Sequence, residues 1–130
     1  MTDHPHIAVF HRVLAAFSVG DMDALAQEFH SDVVWHIGGR NLLTGDYRGR
    51  EDTFALLGRE FQLTGRTYRA QLHDVLANDD HMVALLQVTA SREGKELDLG
   101  LALVLHMRDN RISEGWVLPA DSRAYDEFWS

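Results

Sequence analysis

The chain of 130 residues contains no cysteine. Disulfide frameworks, thiol nucleophiles and cysteine-bearing zinc sites are excluded together. Proline is scarce, at two residues, and Lys95 is the single lysine among 12 basic residues, the rest being arginines with no basic run. Against 20 acidic residues these leave a net charge of −8. Such a surface is repelled by phosphate backbones and anionic lipid, so neither a nucleic-acid nor a membrane partner is expected. Long apolar runs are missing too. The longest, 99–105, has a glycine inside it and is far short of the ~20 residues a membrane span needs. The opening MTDHPHIAVFH has neither a basic n-region nor a clean apolar h-region, which predicts an unprocessed cytoplasmic protein. No GxSxG elbow, Walker loop, GxGxxG, HExxH or EF-hand loop occurs, so nucleotide, zincin and serine-hydrolase chemistry lose their usual anchors.

What is present is ordinary globular composition: 45% hydrophobic and 25% charged residues, in a length that suits one domain, 1–130. Phe10, Leu14 and Phe17 recur at helical spacing, with Pro5 suited to the first turn and Gly20 to a left-handed stop. Asp21 can cap a second helix carrying Met22, Leu25, Ala26 and Phe29. A third starts near Gly49, with Glu51 and Asp52 in its first turn and Phe54, Leu57 and Phe61 as its apolar stripe. The second half reads as strand over 67–76, 81–92, 95–107 and 111–118, separated by short polar breaks that predict an antiparallel meander. One earlier strand is expected at 33–37. Helices followed by strands mean an α+β fold, with helices on one face of a curved sheet. On strand 97–107, Leu97, Leu99, Leu101, Leu103 and Leu105 share the face to be buried. Ala102 and Val104 lie on the other, small-residue face, which suits a homodimer through the sheet.

Eight histidines are present. His4 and His6 fall in an amino-terminal segment expected to be mobile, His11 and His30 on helix surfaces, and His36, His73, His81 and His106 on or beside strands. None are paired at i, i+4 and carboxylates do not cluster with them, so no metal and no cofactor is expected. Two segments carry more chemistry. Trp35-His36 ends a strand and runs into a glycine-rich loop bearing Arg40, Asp46, Tyr47, Arg48 and Arg50. On the last strand Ile112, Glu114, Trp116 and Leu118 alternate onto one face, and a carboxylate beside an indole is how a raised carboxyl pKa is built. The plainer reading is that both tryptophans are core and that Glu114 is an exposed charge paired with an arginine.

These segments carry a resemblance. The order of helices then strands, the Gly20-Asp21 break, Ser31-Asp32-Val33-Val34-Trp35, Gly45-Asp46-Tyr47-Arg48-Gly49-Arg50, and Arg108-Asp109-Asn110-Arg111-Ile112-Ser113-Glu114-Gly115-Trp116 with Asp121 resemble a SnoaL-like protein. That family belongs to the nuclear transport factor 2-like superfamily, with ketosteroid isomerase, limonene epoxide hydrolase, scytalone dehydratase and polyketide cyclases. The resemblance covers nearly the whole chain. It implies a cone-shaped α+β barrel, a curved and mostly antiparallel sheet wrapped on three amino-terminal helices. It also implies an apolar pocket between helices and sheet, and a dimer formed through the sheet.

The fold alone does not assign a reaction. Ungapped matching places the ketosteroid isomerase tyrosine at Val13, its base at Ile37 and its oxyanion aspartate near Leu103, all apolar here; a slip of one residue would put His36 at the base position. The Asp-Arg-Asp set of limonene epoxide hydrolase has no counterpart on the leucine strand. Two expectations remain. One is a cofactor-free isomerase, cyclase or lyase acting on a small hydrophobic molecule. In it His36 is the general base and Glu114 or Asp121 the orienting group or acid. Tyr47 or Arg40 would stabilise an oxyanion, and Trp35, Trp116, Leu101 and Leu103 would form the wall. Since Trp35 and His36 are adjacent on a strand, both reach one pocket only through a bulge or at the strand's end. The other expectation is a non-catalytic protein that binds a hydrophobic ligand in the same pocket.

Overall fold

The computed structural model describes residues 3–130. Helix α1 (Pro5–Val19) is capped by His4, whose side chain accepts from the His6 N–H, and stops at Gly20, whose φ of 70° is the left-handed cap glycine tolerates. Helix α2 (Met22–Glu28) is capped by Asp21, which accepts from Ala24 N. Arg12 on α1 reaches the buried carboxylate of Glu28 at 2.9 Å and fixes the two helices together. Strands β1 (Phe29–Ile37) and β2 (Gly45–Arg48) follow, then α3 (Gly49–Leu63), β3 (Arg69–Ala77), β4 (His81–Arg92), β5 (Lys95–Arg108), β6 (Arg111–Pro119) and α4 (Ser122–Phe128).

The six strands form one mixed sheet in the order β2-β1-β6-β5-β4-β3. β3 to β6 are the expected antiparallel meander, and β1 joins it as the parallel neighbour of β6. The inner face carries Leu97, Leu99, Leu101 and Leu105, all buried, with Leu103 partly buried on the same face. It packs against Val9, Phe10 and Val13 of α1 and Leu56 and Leu57 of α3 in a single core.

The structure adds elements that the sequence pattern did not reveal. β1 begins at Phe29, four residues before the expected start, so His30 lies on a strand and not on a helix. β2 and α4 are both additional. His6 is buried, its ring nitrogens 3.0 Å from Asn78 O and 3.2 Å from Asn110 Oδ1, so it is fixed against two loops. The largest departure is on β6. Its register against β5 slips between His106 and Met107, with Ile112 opposite Met107 and Glu114 opposite His106. This bulge at Ser113 puts Ile112 on the inner face and turns Glu114, Trp116 and Leu118 to the outer one, splitting the set that strict alternation would keep together.

Candidate functional site

The inner face of the sheet and the helices enclose an apolar cavity of ≈ 70 Å³. Its wall includes Phe10, Val13 and Phe17 from α1, Trp35 from β1, and Leu101 and Leu103 from β5. Into it projects one acidic side chain, Glu60 of α3. Buried positions on α3 recur as Thr53, Leu56, Leu57 and Glu60, the i, i+3, i+4, i+7 stripe of a core-facing helix face. A carboxylate therefore occupies a position that elsewhere on the stripe is mostly apolar. Glu60 is 6% exposed, and burial pushes its pKa up to about 8. Desolvation disfavours the charged form, and no opposite charge compensates.

Two phenols share this cavity: Tyr68, just before β3, and Tyr125 of α4. Both are buried, and both hydroxyls are pushed upward, first by burial and then by the negative charge of Glu60. At neutral pH the cavity thus holds a carboxyl group poised between acid and base and two neutral O–H donors. Those are the parts an acid–base site requires: a proton carrier with a pKa near the working pH, donors for developing negative charge, and walls that exclude water. None of the three stands out in the sequence as a site residue; the legible signal is Glu60, since 53, 56, 57 and 60 form a continuous helical face.

The residues singled out from the sequence divide into separate groups. Trp35, Leu101 and Leu103 line the cavity. His36 does not: with no bulge at its own position, it points away from Trp35 to the outer face and stacks on Trp116 with ring centroids 5.1 Å apart. Its Nδ1 lies 2.6 Å from Asp46 Oδ1 and its Nε2 2.6 Å from Glu114 Oε2. Only the imidazolium can donate to both carboxylates at once, so the ring has no free lone pair with which to take a proton. Burial works against that charge, but the hydrogen bonds to Asp46 and Glu114 overcome it and raise the His36 pKa. The expected base is therefore clamped between two carboxylates on the outer face, away from the cavity. Asp121 caps α4, accepting from Ala124 N at 3.0 Å. The Tyr47 hydroxyl is committed to the Leu43 carbonyl at 2.7 Å, and Arg40 is exposed on the loop after β1. Among the described residues no group of three or more His, Asp or Glu side chains could hold a metal ion.

Comparison with known proteins identifies the lineage. A family model described as the SnoaL-like domain matches residues 10–115. The chain belongs to the SnoaL-like family. An uncharacterised protein of Mycobacterium tuberculosis H37Rv is 34% identical to this SnoaL-like protein over 131 residues, covering 100% of both chains. Bal32a, from a soil-derived mobile gene cassette, superposes with a TM-score of 0.93 at 38% identity, covering 96% of each chain. A Jannaschia protein proposed as a SnoaL-like polyketide cyclase shares the fold, with a TM-score of 0.82 at 14% identity over 100% of this chain and 97% of its own. The fold is the α+β, nuclear transport factor 2-like one; no helix described in this SnoaL-like protein is long and apolar enough to cross a membrane.

Proposed function

We propose that this protein is a cofactor-free acid–base catalyst of the isomerase, cyclase or lyase type, acting on a small hydrophobic carbonyl compound. The observation that carries the reading is Glu60, a lone carboxyl group in an apolar cavity beside two phenols. In the reaction, the Glu60 carboxylate removes a proton from the carbon next to the substrate carbonyl, and the electron pair of that C–H bond moves onto the carbonyl oxygen. Tyr68 or Tyr125 donates a hydrogen bond to the oxyanion. Glu60, now a carboxylic acid, returns the proton at the same or another carbon. A carboxyl group with a pKa of about 8 is a far stronger base than an exposed glutamate, and a minor fraction of it is still ionised at neutral pH.

A second reading keeps the cavity and drops the turnover. Below pH 8 Glu60 is mostly a neutral donor, and a neutral donor in an apolar wall suits a protein that only binds carbonyl compounds. One experiment separates the two. In D₂O, the protein should catalyse deuterium incorporation beside the carbonyl of 2-octanone, whose slim methyl-ketone end suits the small cavity. Glu60→Gln should lower that rate by ~10²–10⁴-fold while keeping ketone binding. Binding without any catalysed exchange would select the second reading; failure of wild type to bind the ketone would reject both. We also propose a homodimer through the outer sheet face, where Val83, Leu85, Ala102 and Val104 are only partly covered.

A further inference from the structure

A second depression lies next to the Glu60 cavity, at the carboxyl ends of β1 and β6, the parallel pair. Its volume is ≈ 330 Å³, against ≈ 70 Å³ for the cavity. Val117 and Tyr125 line both spaces, so these two side chains are all that the two walls have in common. The cavity alone is smaller than the ~150 Å³ that accommodates benzene in an apolar core. A carbonyl group and its flanking carbons fill it, and the rest of a larger substrate must extend elsewhere.

The lining of the outer cleft differs in kind. It includes Asp46, Asp126, Ser122 and the turn at Gly38 and Gly39, together with His36 and Trp116. Asp126 Oδ1 accepts from Arg40 N at 3.1 Å and Asn41 Nδ2 at 2.8 Å, fixing α4 to the loop after β1. Gly39 permits that approach: a Cβ there would sit 2.4 Å from Asp126 Oδ1, and its φ is +80°. The other oxygen of Asp126 and the Ser122 hydroxyl have no protein partner among the described residues. The His36 N–H groups, by contrast, are both taken. The cleft therefore offers acceptors and negative charge, and its free groups suit a ligand that donates a hydrogen bond.

We propose that cavity and cleft are two subsites of one site joined past Tyr125 and Val117, and that the substrate is a ketone with an apolar chain ending in a hydroxyl. Its carbonyl end sits at Glu60 and its hydroxyl reaches Asp126 and Ser122. This rests on the Glu60 reading of the cavity and adds the substrate class. An anionic end is disfavoured by Asp126, whose carboxylate faces no cation in the cleft, whereas Asp46 is paired with His36.

The test compares three probes of matched length by ligand-observed NMR: 2-octanone, 8-hydroxyoctan-2-one and 7-oxooctanoate. The hydroxyl ketone should bind about 3- to 10-fold more tightly than 2-octanone, and 7-oxooctanoate about 10-fold more weakly. Ser122→Ala and Asp126→Asn should each narrow the gap between the first two. The amide resonances of Gly38, Gly39 and Ser122 should shift when the hydroxyl ketone binds. Equal affinity for all three probes, or tightest binding of 7-oxooctanoate, overturns the two-subsite proposal while leaving the cavity intact. So does a set of shifts confined to residues such as Phe17 and Ala70, which would put the chain at another mouth. Failure of every probe to bind instead rejects the Glu60 cavity as a ketone site.

Discussion

His36 Nε2 and Glu114 Oε2 meet at 2.6 Å across the parallel strands β1 and β6, on the face of the sheet opposite the cavity. With Asp46 at the same distance on the other ring nitrogen, the contact stabilises a cation on the outer surface. His36 should accordingly titrate above its ordinary value, and Glu114→Gln should lower its midpoint, as followed by imidazole NMR. A raised folded-state pKa contributes stability that is fully present below the unfolded value of ~6.5. That contribution is lost as pH rises through the folded midpoint. His36→Asn should thus depress the Tm more at pH 6 than at pH 9. Equal losses at both pH values would mean that the clamp contributes nothing through charge.

Gly115 controls the cavity wall from behind. A Cβ at this position would fall 2.4 Å from Trp35 Cζ3 and 3.0 Å from Leu105 Cδ2. Neither the buried indole nor the fully buried leucine can give way cheaply. Gly115→Ala should cost about 1–3 kcal/mol and push Trp35 into the cavity, weakening ketone binding. Thermal melts and a 2-octanone titration measure both effects. An unchanged Tm and affinity would show that the wall yields there.

Much of the fold was legible because side-chain period and burial agree. The leucines of β5, the caps at Asp21 and Gly20, and the meander follow from local rules that packing does not override. The site was less legible, for two physical reasons. On β6 a single bulged residue, Ser113, reverses the face of everything after it, and strict alternation cannot anticipate a bulge. On α3 the stripe looked apolar through Phe54, Leu57 and Phe61, but the buried face is rotated toward Thr53, Leu56, Leu57 and Glu60. Phe54 and Phe61 are only partly buried beside it. Tyr125 belongs to α4, whose aromatic residues Tyr125 and Phe128 are buried together with the following Trp129. Only the three-dimensional closure of the chain brings Tyr125 to Glu60.

The outer face makes a separate demand. Ala102 pairs with Leu85 and Val104 with Val83 across β4 and β5, a small-residue patch that a second copy would cover. Sedimentation at micromolar concentration should give a dimer burying at least ~1,000 Å² in total. Val104→Glu should give a monomer. A wild-type monomer under those conditions would contradict the dimer without touching the cavity.

Glu60 carries its proton into the neutral range. A carbon-13 NMR titration of the Glu60 carboxyl, assigned by its loss in Glu60→Gln, should give a midpoint near the value of about 8 set by burial. Because the folded state holds this proton after the unfolded chain has released it, stability should fall as pH rises from ~4.5 to ~8 and then level off. Glu60→Gln should abolish that slope and, at pH 9, be the more stable protein by on the order of 3–5 kcal/mol. A carboxyl midpoint near 4.5, with no difference in pH slope between wild type and Glu60→Gln, would show that burial does not hold the proton and that Glu60 is not the base.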